Sequence, residues 1–208
     1  MAARETKEEK LARLTQMETA LWANGRAVAG MDEVGRGPLA GPVTTACVCI
    51  PRDKLVYGVD DSKKLSEKRR EALFEPLKEA ADYWNVAFVD HETIDSVNIL
   101  NATKMAMEQC AAGFAVENGV VLVDAVRGLD IPCEQRPLIH GDALSYMIGA
   151  ASILAKVARD RYMLGLDEKY PQYGFARNKG YGTAEHIAAI KKYGPCPEHR
   201  LTFIKNFL

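Results

Sequence analysis

Short apolar runs separated by turn residues recur along the chain and have the length and composition of β-strands. Four are rich in β-branched or other apolar residues, and a fifth is weaker. They cover residues 28–31, 42–50, 84–89, 119–123 and, for the weaker run, 137–140. The pattern therefore predicts a sheet of five strands.

Between and after these runs, apolar side chains recur at helical spacing. The predicted helices cover residues 67–81, 98–116, 142–169, about 184–192 and about 197–207. Pro76 falls inside the first of them, where its missing N–H and its ring predict a kink or a break. The order of strands first, then alternating helices and strands, indicates an α/β protein with a mixed sheet and helices on its faces.

The chain of 208 residues is long enough for one sizeable core but short for two domains. We expect an N-terminal helical arm over residues 1–26, a core over 27–169, and a C-terminal helical segment over 170–208 that completes the same domain. No run approaches the ~20 apolar residues of a membrane helix, and the polar start lacks the pattern of a signal peptide. These features predict a cytoplasmic protein.

The near-neutral net charge of −1 conceals an asymmetry. Residues 146–208 carry 10 of the 27 lysines and arginines but only 5 of the 28 acidic residues. A basic final third suits contact with a polyanion such as a nucleic acid. A solvated helical surface would show the same composition, so charge alone leaves both interpretations open.

Several kinds of chemistry lack their usual sequence pattern. Five cysteines, an odd number without a C-x-x-C pair, predict reduced structural thiols. The four histidines lack metal-ligand spacing, and we expect them to be structural. Gly35-x-Gly37 is a weak match to a dinucleotide loop, because Pro38 and Pro42 oppose the helix that such a loop requires.

Four acidic residues stand where predicted strands end or a helix begins. Asp32 and Glu33 end the first strand, Asp124 follows the fourth, and Asp142 stands at the start of the long helix. Neighbouring side chains on a strand point to opposite faces, so the adjacent pair shares one site only if the chain turns. The glycine-rich segment 35–41 permits that turn.

Four carboxylates gathered at one place would repel one another strongly unless cations lay between them. Mg²⁺ and Mn²⁺ take oxygen ligands of this kind, and two such ions roughly 3.5–4 Å apart assist phosphodiester hydrolysis. For any one acid alone, a helix N-cap (Asp142) or an exposed strand end is the simpler interpretation. The adjacent pair beside the glycine-rich turn, with two further acids at element ends, favours the metal site.

The segment 32–43, Asp-Glu-Val-Gly-Arg-Gly-Pro-Leu-Ala-Gly-Pro-Val, resembles the signature of the ribonuclease HII family. Further matches are Asp61–Leu65, the strand that ends at Asp124, Gly141–Asp142, Ala151–Asp160 and Lys179–Thr183. The likeness covers about residues 28–207, and its first and last motifs are long enough to be highly specific.

The resemblance implies a ribonuclease H-like fold: a five-stranded mixed sheet flanked by helices, with a small C-terminal helical part. It implies that Asp32, Glu33, Asp124 and Asp142 are the catalytic acids and hold Mg²⁺ or Mn²⁺, two ions with substrate bound. It further implies cleavage 5′ to a ribonucleotide, in RNA–DNA hybrids and at single ribonucleotides in duplex DNA, leaving a 3′-hydroxyl and a 5′-phosphate. We therefore expect a monomeric enzyme of ribonucleotide excision repair.

The resemblance also implies substrate-binding residues. In the family the turn matched by Gly35, Arg36 and Gly37 reads the 2′-hydroxyl, the group that distinguishes RNA from DNA, and the tyrosine matched by Tyr181 packs on the next deoxyribose. Ser152 lies four residues before Lys156 on one helix face, so the two are placed to act together. The candidate phosphate contacts are Lys63, Lys64, Lys156, Arg159 and Lys179.

Three other interpretations differ in testable features. Ribonuclease HIII has similar acids, but it normally carries an extra N-terminal domain and lacks the tyrosine matched by Tyr181. A non-catalytic nucleic-acid-binding module would have lost one or more of the four acids, and all four are present. A structural domain would have no reason to match such long motifs.

Overall fold

A computed structural model describes residues 5–208 and shows a five-stranded mixed sheet. The strands are β1 (Ala27–Val34), β2 (Val43–Cys49), β3 (Tyr83–Val89), β4 (Gly119–Asp124) and β5 (Glu134–Leu138). Their order across the sheet is β3-β2-β1-β4-β5. The first three strands pair antiparallel, whereas β4 and β5 run parallel to β1. The predicted fold class, a mixed five-stranded sheet flanked by helices, is confirmed.

Helices cover both faces of this sheet. They are α1 (Lys7–Leu14), α2 (Gln16–Trp22), α3 (Glu67–Ala80), α4 (His91–Val97), α5 (Ile99–Ala111), α6 (Gly141–Leu144), α7 (Tyr146–Lys169), α8 (Phe175–Asn178), α9 (Ala184–Tyr193) and α10 (Leu201–Ile204). Short 3₁₀ turns occupy Arg52–Lys54, Ser62–Lys64 and Pro171–Tyr173. Across residues 5–208, no helix combines the length and apolar character needed to span a membrane.

Alternating side chains of the central strands supply two separate cores. Val28 and Leu122 face a core made with α7, α3 and the N-terminal helices, whereas Met31 and Val121 face a core made with α5. Strands buried on both faces are typical of sheets with helical layers on either side. A third core joins the C-terminal helices to the later turns of α7 around Met163.

Helix α7 lies unusually close to the central strand. A Cβ added to Gly30 of β1 would come within 2.1 Å of the Met147 carbonyl carbon. The first turn of α7 is fixed from the other side by the buried Glu18 of α2, whose Oε1 accepts from Ser145 Oγ (2.6 Å) and from the Met147 N–H (3.0 Å). The N-terminal arm therefore consists of two helices, α1 and α2, and the first four residues of the predicted arm lie outside the described residues.

Two predicted helices differ from the observed ones. Helix α3 continues through Pro76 without a break, because the buried Phe74 and Leu77 hold it against the core. The long helix predicted over 142–169 is divided at Ser145, which is extended and caps α7 by accepting from the Ile148 N–H. Asp142 consequently belongs to the separate short helix α6.

Three smaller differences concern segments with weak sequence patterns. Strand β5 covers Glu134–Leu138, so it begins and ends earlier than the predicted range of 137–140. Helix α4 was not predicted, because its seven residues contain a single buried side chain, Ile94. Residues 170–182, which precede the predicted C-terminal helices, contain the turn at Pro171–Tyr173 and helix α8.

The predicted free thiols are confirmed, since all five cysteines are unpaired. Cys47 and Cys49 lie on one face of β2 against the α5 core, as their spacing predicts. Burial raises the pKa of Cys47 well above its usual range, and it raises the pKa of Cys110 to about 12. Both side chains therefore behave as small apolar groups.

We predict that Gly30→Ala lowers the free energy of unfolding by more than ~3 kcal/mol, or prevents folding, because a methyl group there meets backbone that cannot move aside. Urea denaturation measures this effect. Gly165→Ala is the matched control, because Gly165 lies at an exposed position of α7 with nothing within 4 Å of an added Cβ. It should raise stability by ~0.5–1 kcal/mol through helix propensity. Equal stability of Gly30→Ala and the wild type would contradict the described contact.

Candidate active site

Three of the four predicted acids lie at the carboxyl ends of two neighbouring parallel strands. Asp32 and Glu33 lie near the end of β1, and Asp124 is the last residue of β4. Met31 pairs with Val123, so Asp32 and Asp124, one residue further along each strand, come side by side. The carboxyl ends of parallel strands are the usual place for ligands in open α/β sheets.

Asp142 reaches the same edge from the first turn of α6. The N–H of the preceding residue, Gly141, donates to Asp124 Oδ1 at 2.8 Å and ties the short helix to the end of β4. Lys63 Nζ lies 3.3 Å from Asp142 Oδ2, while the rest of its side chain is exposed. The break at Ser145 separates α6 from α7 and allows Asp142 to occupy this position.

The pKa values of Asp32, Glu33 and Asp124 respond to the charges of neighbouring acids. Burial raises the pKa of Asp32 well above its usual range, and the charges of Glu33 and Asp124 raise it further. Burial also raises the pKa of Glu33, opposed by Arg36, whose Nη1 lies 3.4 Å from Glu33 Oε1. The pKa of Asp124 is raised by burial and by the charge of Asp142. The pKa of each of these three acids is thus raised by the charge of at least one other acid of the site.

These residues fit a divalent cation by their chemistry. Between residues 5 and 208, no group of three or more acidic, histidine or cysteine side chains is arranged so that it could hold a metal ion, although the four acids adjoin one another along the edge of the sheet. Glu33 Oε2 is buried without a hydrogen-bond partner in this part of the chain, and a cation would satisfy it. A donor set of carboxylate oxygens suits Mg²⁺ or Mn²⁺. The role of the acids as metal ligands stays a prediction.

The glycine-rich turn adjoins the acids, and its three predicted substrate-binding residues face different ways. Gly35 is buried with φ of +91°, and an added Cβ would lie 2.3 Å from Arg159 Nε. Only glycine satisfies both conditions. Arg36 and Gly37 are exposed, and a Cβ added to Gly37 would lie 3.9 Å from the half-exposed Tyr181 ring. The turn and Tyr181 therefore form one continuous surface.

Two buried arginines hold this turn from beneath. Arg159 and Arg200 are both fully buried and donate to backbone carbonyls instead of to carboxylates. Arg159 was expected to contact phosphate, and its burial shows that expectation to be wrong. Arg200 lies in a segment without a recognisable motif, so the sequence provides no signal for its position.

The remaining predicted substrate-binding residues differ in how exposed their side chains are and in whether those side chains are already hydrogen-bonded within the protein. Lys63 and Lys64 have side chains that are 80% and 59% exposed. Ser152 and Lys156 are held within the protein, Ser152 Oγ by Ser62 Oγ at 2.8 Å and Lys156 Nζ by Asp160 at 2.6 Å. Lys179 is largely buried, with its Nζ 3.9 Å from Glu67. Lys63 and Lys64 are therefore the more available phosphate contacts, and binding by any of these residues stays a prediction.

Two of the four histidines form a buried chain that was not predicted. His199 Nδ1 accepts from the Cys196 N–H at 2.9 Å, His199 Nε2 lies 3.0 Å from His186 Nε2, and His186 Nδ1 lies 2.9 Å from the Tyr181 carbonyl. These partners require His186 to carry its proton on Nδ1 and His199 on Nε2. The histidines are thus structural, as expected, and they fix the backbone of the residue that faces the glycine-rich turn.

Comparison with solved structures defines the class of protein. The ribonuclease H2 of Pyrococcus horikoshii OT3 matches with a TM-score of 0.72 and 28% identity, over 86% of this chain and 96% of its own. Ribonuclease HII of Archaeoglobus fulgidus, solved in a complex with PCNA, matches with the same TM-score and 26% identity, over the same shares of both chains. With its mixed sheet and acidic strand ends, the protein is a nuclease with a ribonuclease H-like fold.

Sequence comparison narrows this class. The family model described as Ribonuclease HII matches residues 29–206. The ribonuclease HII of Ruminiclostridium cellulolyticum is 51% identical over 201 residues, which are 96% of this chain and 79% of the relative. The chain belongs to the ribonuclease HII family, as its motifs predicted, and this supports an endonuclease of the ribonuclease H type.

The histidine chain predicts a specific pH dependence of stability. Burial lowers the pKa of His199 to about 4, whereas an unfolded histidine titrates near ~6.5. Between these values the unfolded chain binds the extra proton, so the free energy of unfolding falls as the pH drops from ~6.5 to ~4, by up to ~3 kcal/mol.

The measurement compares urea denaturation of the wild type and His199→Asn across this pH range. Asparagine does not titrate, and its amide oxygen can accept from the Cys196 N–H in place of Nδ1. The variant should be less stable at neutral pH, but its stability should depend less steeply on pH. Parallel pH profiles for the two proteins would show that His199 does not titrate as described.

Proposed function

We propose that the protein hydrolyses the phosphodiester bond on the 5′ side of a ribonucleotide, leaving a 3′-hydroxyl and a 5′-phosphate. Its substrates are RNA–DNA hybrids and single ribonucleotides embedded in duplex DNA. The observation that carries this proposal is the adjacency of four coupled carboxylates to an exposed glycine-containing turn that faces Tyr181. One surface then combines a place for phosphodiester chemistry with a place for reading the sugar next to it.

Asp32, Glu33, Asp124 and Asp142 are the residues that would hold two divalent cations, Mg²⁺ or Mn²⁺. When bound, such cations supply an activated water and stabilise charge on the phosphate and the leaving oxygen. The protein contributes the rigid placement of the acids: two strand ends, the Gly141 N–H on Asp124, and the short helix α6. Burial and the charges of neighbouring acids raise the pKa values of Asp32, Glu33 and Asp124, and cations would relieve that repulsion.

The sugar is recognised beside these acids. The backbone at Arg36 and Gly37 is exposed and lets a ribose approach closely, so its polar groups are placed to meet the 2′-hydroxyl. The half-exposed Tyr181 ring, opposite Gly37, packs on the next deoxyribose. Lys63 and Lys64 contact the phosphates by charge, which makes binding weaker at high salt.

Ser152 and Lys156, further along α7, contact the bound nucleic-acid strand. The family match over nearly the whole chain favours this activity over the ribonuclease HIII alternative, and the four acids at one edge of the sheet argue against a non-catalytic module. We also propose that the enzyme acts as a cytoplasmic monomer in ribonucleotide excision repair.

A nicking assay tests the proposal. The protein is incubated with Mg²⁺ or Mn²⁺ and duplex DNA that contains one ribonucleotide, and it should produce one nick 5′ to that nucleotide. Chelation of the metal should abolish the nick. Absence of a nick, or equal nicking of all-DNA duplex, would refute the proposed function.

Asp124→Asn should lower the nicking rate by more than ~100-fold, since even the loss of a group that merely supports a metal ligand costs 10–100-fold. The fold should survive, because the amide oxygen can still accept from the Gly141 N–H. Asp130→Asn is the matched control at an exposed aspartate outside the site, and it should leave the rate unchanged. Full activity of Asp124→Asn would remove this residue from the site.

Tyr181→Ala should reduce the preference for a ribonucleotide–deoxyribonucleotide junction over continuous RNA by about tenfold, the size expected for loss of an aromatic stacking contact. Tyr181→Phe keeps the ring and should keep the preference. Tyr193→Ala, at an exposed tyrosine of α9, controls for loss of a surface aromatic group. Cleavage rates on the two substrates give the ratio, and an unchanged ratio in Tyr181→Ala would exclude the assigned role.

A further inference from the structure

Two buried arginines, Arg159 and Arg200, lie beneath the glycine-rich turn, and the function proposed above does not explain them. Arg200 donates to the carbonyls of Gly35 (2.6 Å), Arg36 (3.0 Å) and Gly41 (2.8 and 3.0 Å). Arg159 donates to the carbonyls of the same turn and its flank. Its partners are Pro42 O at 2.9 Å, Ala40 O at 3.2 Å and Lys179 O at 2.9 Å.

Neither guanidinium forms an ion pair with a carboxylate of residues 5–208. The two arginines repel each other, and the carboxylates that act on them at longer range, Asp160 on Arg159 and Asp95 on Arg200, are bound elsewhere. Asp160 pairs with Lys156, and Asp95 accepts from the N–H groups of residues 201 and 202. Backbone carbonyl dipoles therefore take the place of carboxylates as partners of the two guanidiniums. Burying a charge in this way costs free energy unless the carbonyls are held firmly in place.

The orientation of the bound carbonyls determines where the N–H groups of the turn point. In a trans peptide the C=O of one residue and the N–H of the next point in opposite directions. Arg200 draws the carbonyls of Gly35 and Arg36 inward, so the N–H groups of Arg36 and Gly37 point away from it. Within the described residues, neither N–H has an acceptor, and both residues are exposed.

A cation on a carbonyl also strengthens the N–H of the same peptide as a donor. Hydrogen bonds to a charged group are stronger than neutral ones, and bonded dipoles polarise one another. Burial lowers the pKa of Arg159 to about 10 and that of Arg200 to about 9. Both guanidiniums therefore keep their charge at neutral pH and polarise the turn continuously.

We propose that Arg200, supported by Arg159, is a positioning residue for sugar discrimination: it orients and polarises the Arg36 and Gly37 N–H groups that recognise the ribose 2′-hydroxyl. This inference rests on the proposed function of the turn. It assigns the discrimination between ribose and deoxyribose to a buried residue that touches no substrate.

Arg159 extends the arrangement to the opposite side of the site. Its bond to the Lys179 carbonyl, together with the Leu39 N–H on the Gly180 carbonyl (2.8 Å), fixes the segment that carries Tyr181 to the glycine-rich turn. The spacing between the turn and the Tyr181 ring is therefore set by bonds to the same buried pair. One rigid unit presents both halves of the sugar-reading surface.

The test is the binding of two duplexes that differ in a single 2′-hydroxyl, one all-DNA and one with a ribonucleotide. Dissociation constants are measured with Mg²⁺ in the Asp124→Asn background, which prevents turnover. Arg200→Lys keeps the charge but places it on a single nitrogen, which replaces the planar fork that spreads its bonds over three nitrogens. We expect its dissociation constant for the ribonucleotide duplex to rise roughly tenfold while that for all-DNA duplex stays within about twofold.

Arg161→Lys is the matched control, because Arg161 is an exposed arginine of α7 paired with Glu71. It should leave both dissociation constants unchanged. If the Asp124→Asn parent itself does not distinguish the two duplexes, the proposed function fails. If the parent distinguishes them and Arg200→Lys does so equally well, or loses affinity equally for both, the positioning role is overturned.

A second measurement needs no substitution in the arginines and covers the case in which Arg200→Lys does not fold. The backbone amide resonances of Arg36 and Gly37 are followed by NMR as each duplex is added to the Asp124→Asn protein. The proposal expects both amide protons to move downfield with the ribonucleotide duplex and not with all-DNA duplex. Identical responses to the two duplexes would overturn it.

Discussion

The direct contact of α7 with β1 is the constraint on which the rest of the structure depends. At Gly30 the first turn of the helix lies against the strand with no side chain between them, and Glu18 of α2 fixes that turn from the other side. Because this end of the helix cannot shift, every later residue of α7 has a defined distance from the edge of the sheet. Ser152, Arg159 and Met163 follow along the helix and serve the site, the glycine-rich turn and the C-terminal core.

Charge is distributed over the site in two layers. Acidic side chains occupy one edge of the sheet, where they repel one another and suit cations. Positive charge lies below the neighbouring turn, where Arg159 and Arg200 bind backbone carbonyls. The N–H groups of the peptides bound by Arg200 therefore point outward. The first layer therefore favours hard cations, and the second offers donors to uncharged oxygen atoms. The proposed binding of a phosphate and a sugar hydroxyl side by side would use both layers.

Local sequence features predicted the parts of the fold and the site that depend on neighbours in the chain. Asp32, Glu33 and Asp124 follow apolar strands, so their place at one edge of the sheet was predictable from strand ends alone. The break at Ser145 and the continuity of α3 through Pro76 were not, because tertiary packing outweighs local propensity there. Arg200 and the pair His186–His199 lie in segments without a motif, and their partners are distant in the chain. Only the folded structure brings such residues together.

The burial of the thiols affects how the enzyme responds to oxidants. Oxidation and alkylation of cysteine proceed through the thiolate, which forms readily only at an accessible sulfur with a low pKa. Burial raises the pKa of Cys47 well above its usual range, that of Cys49 and Cys196 to about 11, and that of Cys110 to about 12. At neutral pH these four sulfurs therefore stay in the thiol form, which reacts with oxidants far more slowly than the thiolate.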